Sequence, residues 1–112
     1  MSAGAQLTVT DLRHAARHPV DYKVIGEHRR RGDLPLHIVN MSAHGFMTNG
    51  ETGLQRGERV TIRLPEIGRI EAHVIWIAET RCGFQFERII RFDDFKRMIH
   101  TLQPNPRLRP PR

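Results

Sequence analysis

Alternation of apolar and polar residues at period two, in short runs between turn-forming residues, is the feature that most narrows the folds open to this chain. Val60, Ile62 and Leu64 alternate with Thr61 and Arg63, and Ile70, Ala72, Val74 and Trp76 alternate with Glu71 and His73. Successive side chains of a strand point to opposite faces, so each run reads as a strand with one face in a core and one in water. Val20, Tyr22 and Val24 form another such run around Asp21 and Lys23. Arg31-Gly32-Asp33 turns the chain, and residues 35–40 return with Leu36, Ile38 and, on a strict count of two, Asn40 on one face. Gly45 permits a bend into a short third strand, Phe46-Met47-Thr48, and Phe84 and Phe86 flank Gln85 in a sixth. Phe92, Phe95, Met98 and Ile99 recur at the spacing of an amphipathic helix. Several short strands with regular turn signals predict a mainly β domain, a sandwich or barrel closed by a C-terminal helix.

At 112 residues the chain is one domain. Residues 1–11 lack apolar periodicity and are expected to form a flexible arm. Residues 12–102 make the folded domain, and the Pro- and Arg-rich residues 103–112 read as a disordered tail. No apolar run approaches the ~20 residues of a membrane span, so no membrane insertion is expected. The start shows neither the basic nor the apolar region of a secretory signal, and Cys82 is the only cysteine. Both features fit a cytoplasmic protein. A net charge of +6 points to an anionic partner without saying which.

Two short segments carry most of the functional information. Arg13-His-Ala-Ala-Arg17 sets two guanidiniums four residues apart, just before Pro19, which disfavours a helix there. Guanidiniums fork onto phosphate or the O6/N7 edge of guanine, and their flat faces stack on bases. Asn40-Met-Ser-Ala-His-Gly45 follows, with an amide, a hydroxyl and a glycine in six residues at a strand end. Asn offers a paired donor and acceptor, Ser a hydroxyl, and Gly lets backbone approach a ligand closely. Together these are parts of a site for a small anionic guanine nucleotide.

The pair, with the strand pattern after it, resembles the PilZ family signature, RxxxR followed by (D/N)xSxxG. The resemblance spans about residues 12 to 100. It implies a six-stranded antiparallel Greek-key β-barrel with a C-terminal α-helix and flexible termini. It also implies binding of the bacterial second messenger cyclic di-GMP through Arg13, Arg17, Asn40, Ser42 and Gly45, with signalling to an unidentified protein effector through the N-terminal arm. Leu12 and His44 are secondary candidates; Leu12 brings no charge that would hold a second ligand copy, although Arg29 to Arg31 would compensate if their hairpin folded over the site.

Each residue also has a plainer reading. Asn40 can bond its own backbone, Ser42 can cap a turn, and Gly45 can serve a positive φ. His14 and His18 have helical metal-ligand spacing but no third ligand nearby, so no metal is expected. Trp76 and Tyr22 read as inward-facing, which leaves few aromatic platforms for the alternative of a basic barrel that binds nucleic acid. A ligand-independent adaptor is the other alternative. No catalytic triad, phosphate loop or carboxylate pair is present, so neither an enzyme nor a bound cofactor is expected.

Overall fold

The computed structural model of the protein describes residues 16–102. Six strands, β1 (His18–His28), β2 (Gly32–Met41), β3 (Gly45–Asn49), β4 (Arg59–Leu64), β5 (Gly68–Ala78) and β6 (Arg81–Phe86), precede one helix, α1 (Phe92–Thr101). The strands close into a barrel in the order β1-β2-β3-β6-β5-β4, and every pairing is antiparallel. After the meander β1-β2-β3 the chain returns to lay β4 beside β1, which is a Greek key. The expected mainly β barrel with one closing helix is therefore the fold. The expected arm and tail, with Leu12 and Arg13, lie outside the described residues.

The alternating runs behave as their patterning dictates. Val60, Ile62, Leu64, Ile70, Ala72 and Val74 are buried and their polar neighbours are not. Phe46 stacks on Phe84 with centroids 4.6 Å apart, and Phe86 tilts against Phe46 at 5.5 Å. Such aromatic pairs stabilise beyond the area they bury. Thr48 points into this core fully buried, and its hydroxyl has no hydrogen-bond partner among the described residues. Helix α1 adds Phe95 and Met98 to the core, and the His18 ring lies 5.3 Å from that of Phe95. Asp93 and Asp94 occupy its first turn and His100 its last, the arrangement its dipole favours. Arg97 pairs with Asp94 in the helix and, at 3.7 Å, with Glu66 in the β4–β5 turn.

At the far end of β1, His28 is buried and fastens the hairpin tip. Its Nδ1 accepts the backbone N–H groups of Arg30 and Arg31, each at 3.1 Å, so Nε2 carries the proton donated to Glu58 Oε1 at 2.8 Å. The other Glu58 oxygen accepts the Gln55 N–H at 2.6 Å. That backbone bond, foremost, and the His28 bond hold the Glu58 carboxyl below its ordinary range. Arg31 is exposed, and its guanidinium donates to the Gly53 carbonyl at 2.6 Å.

Three strands each carry one extra residue. The register shifts between Pro19 and Tyr22 in β1, between Ile38 and Asn40 in β2, and between Val74 and Trp76 in β5. A β-bulge moves everything beyond it to the other face. Asn40 therefore does not join Leu36 and Ile38 inside; Met41, fully buried, takes the inward place. Trp76 likewise turns out of the barrel instead of extending the buried run Ile70-Ala72-Val74. Tyr22, as expected, packs against the core.

Candidate functional site

The second motif is a tight hairpin. Met41 pairs with Phe46, and the Ser42 N–H donates to the Gly45 carbonyl at 2.9 Å, leaving Ala43 and His44 at the tip. The Ser42 Oγ accepts the His44 N–H at 3.2 Å, so the buried serine caps the turn. The end of β6 and the loop after it clamp the hairpin: the Phe86 N–H donates to the His44 carbonyl at 2.8 Å and the Ile90 N–H to the Ala43 carbonyl at 2.9 Å. Gly45 does not have the positive φ that was one expectation for it. A Cβ there would instead lie 1.9 Å from the Phe84 carbonyl oxygen, so glycine is needed for β3 to run this close to β6.

The two motifs, 23 residues apart, meet. Arg17 lies just before β1, and its guanidinium donates to Asn40 Oδ1 at 2.8 Å. Pro19, two residues on, is the register partner of Asn40. Asn40 pairs in turn with Met47 of β3, and its Nδ2 donates to the Met47 sulfur at 3.7 Å. Met47 pairs with Gly83 of β6, and Gly83 with Trp76 of β5. One row thus crosses the outer face of five strands: Pro19, Asn40, Met47, Gly83, Trp76.

Gly83 faces outward, because its neighbours Cys82 and Phe84 are in the core, and it is buried only because the Trp76 indole covers it. A Cβ on Gly83 would come within 2.0 Å of the indole Nε1. A glycine inside a strand marks such close approach, and this is the signal that sequence reasoning passed over. Gly83 is one residue from the inward-facing Phe84, and a tight turn brings it opposite Trp76. Met47 and Trp76 join the site only through the bulges.

Charge around the row suits an anion. Asp21 is engaged by His37 Nε2 at 2.6 Å and Glu71 by Arg59 at 3.6 Å, while exposed Glu79 stands in the turn after β5. Exposed Arg81 stands two residues from Gly83 on β6. The hairpin tip lies ~30 Å along β1 from Pro19, while the Arg31 guanidinium reaches the Gly53 carbonyl, beside the Thr52 that contacts Cys82 at 3.5 Å. His18, half of the weighed metal pair, is in a strand, and no group of three metal-binding side chains occurs among the described residues. No model of a known protein family matches the chain, and a search of curated proteins finds no match.

Proposed function

We propose that the outer face crossed by this row is a receptor surface for cyclic di-GMP, and that binding is passed to a protein effector through the segment bearing the two arginines. The observation that carries the reading is the 2.8 Å bond from Arg17 to Asn40, which joins the motifs on one surface. A ligand phosphate or guanine edge competes with the Asn40 oxygen for the Arg17 guanidinium, and charge favours the anion. The Asn40 amide, once released, presents donor and acceptor to a base edge. The indole of Trp76, lying over Gly83, offers its outer face to a purine, and Gly45 acts by letting β3 close on β6 beneath that surface. Ser42 acts by fixing the hairpin that presents Asn40. Arg13 and His44 remain ligand contacts in this proposal, with one ligand per domain.

Isothermal titration with cyclic di-GMP tests it. Absence of binding up to ~100 µM, where less than about 5.5 kcal/mol is available, would sink the reading. Trp76 is the chain's single tryptophan, so its fluorescence should change at the same ligand concentration.

A second reading gains from the outward turn of Trp76. A basic barrel with a half-buried, outward-facing indole and nearby arginines is also suited to single-stranded nucleic acid, whose bases stack on such a ring. A mobility shift at two salt concentrations separates the two, since phosphate-driven binding falls steeply with salt.

A further inference from the structure

The barrel closes at one end of a seam and stands open along the rest. Strand β1 keeps β2 as a partner along nearly its whole length, yet it meets β4 at two positions only, Glu27 opposite Thr61 and His28 opposite Val60. Strand β4 pairs with β5 at all six of its residues. From Tyr22 to Gly26, β1 therefore has a ladder on one side, and between this edge and the end of β4 lies a cleft of about 690 Å³. Half-buried Tyr22 and Val24 line it, with Ile25, 50% exposed, beside them. An unpaired strand edge is a template for another strand.

The charges in the cleft select what fits. Glu27 is held by both nitrogens of the Arg69 fork at 3.0 Å, and Glu66 is paired with Arg97. Lys23 and Arg63, one on each lip, have no anionic partner among the described residues. The cleft thus combines apolar Tyr22, Val24 and Leu64 with two uncompensated cations at its rim. A second copy of this chain would bring the same cations against them.

We propose that the seam between β1 and β4 is a docking site for an extended, acidic segment of a protein partner, which continues the β1 ladder and sets its carboxylates against Lys23 and Arg63. Strand addition of this kind draws affinity from main-chain hydrogen bonds and specificity from side chains on alternate positions. The inference does not depend on the nucleotide reading.

The test uses the full chain and three capped peptides: one alternating glutamate with valine, one alternating lysine with valine, and the glutamate peptide with alternate backbone nitrogens methylated. At ~1 mM the acidic peptide should shift the amide resonances of residues 22–27 and 61–66 and slow hydrogen exchange in β1. The lysine and methylated peptides should not. Reversing both cations (Lys23→Glu with Arg63→Glu) should weaken the acidic peptide about tenfold or more. Equal binding of the lysine peptide, shifts elsewhere on the barrel, or no shift at all would overturn the proposal. So would β1 amides in the free chain all as protected as those of Ile38 and Ile70. Sedimentation showing self-association at the same resonances would assign the edge to a second copy instead.

Discussion

Replacing Gly45 by Ala separates what this glycine does for the fold from what it does for a ligand. The new Cβ would sit 1.9 Å from the Phe84 oxygen, 2.9 Å from the Phe84 carbonyl carbon and 3.0 Å from the Gln85 Cα. All three are backbone atoms of β6, so no side chain can swing aside; the strands themselves must part. Overpacking of this kind costs about 1–3 kcal/mol. Parting β3 from β6 also weakens the neighbouring bond from the Phe86 N–H to the His44 carbonyl, and a lost hydrogen bond costs about 0.5–1.5 kcal/mol. The smaller conformational freedom of unfolded Ala returns about 0.4–1 kcal/mol. The net expectation is a loss of about 0.5–4 kcal/mol, or roughly 3–20 °C in Tm for a domain of this size. Gly83→Ala is the matched control. The three atoms nearest its Cβ all belong to the Trp76 ring, which can move into solvent, so Tm should fall by much less while tryptophan emission shifts to the red. Thermal unfolding followed by circular dichroism measures both. A Gly45→Ala protein melting within about 3 °C of the parent would refute the close-approach argument, and equal losses for both variants would refute the distinction between backbone and side-chain obstacles.

Thr48→Val keeps the shape of a fully buried side chain and removes a hydroxyl with no partner, so urea unfolding should show a gain of about 1–2 kcal/mol; a loss would mean that the hydroxyl is satisfied in solution. Arg17→Ala removes an exposed guanidinium outside the barrel and should weaken cyclic di-GMP binding by about 2–4 kcal/mol, roughly thirty- to a thousand-fold, with an unchanged dichroism spectrum. Full affinity in that variant would show the motif pairing to be coincidental. Glu58→Gln tests the fastening of the hairpin tip. A carboxyl held below its ordinary value of 4.5 contributes stability above that value and loses it as pH falls through the depressed one. The stability gap between parent and variant, open at neutral pH, should therefore close below about pH 4.5, and urea midpoints across that range would expose a pH-independent gap as a contradiction.

The division between what the sequence contained and what it did not follows from how strands are specified. Period-two alternation is local, so β4 and the buried half of β5 were legible residue by residue, as were the turn at Arg31-Gly32-Asp33 and the apolar face of α1. The two motifs were legible as chemistry, and their meeting was an expectation of the resemblance. Counting by twos carries no mark of an extra residue, and the bulges at Val39 and Ile75 were invisible to it. Where a strand skips is set by the strands beside it: β3 must close on β6 at Gly45, and β5 must bring Trp76 over Gly83. Those long-range pairings turn Asn40 and Trp76 from the core to the surface. The chain's own chemistry supplied Arg17, the amide and the indole, and barrel closure alone decided that they share one face, because register is a property of paired strands and of no single one.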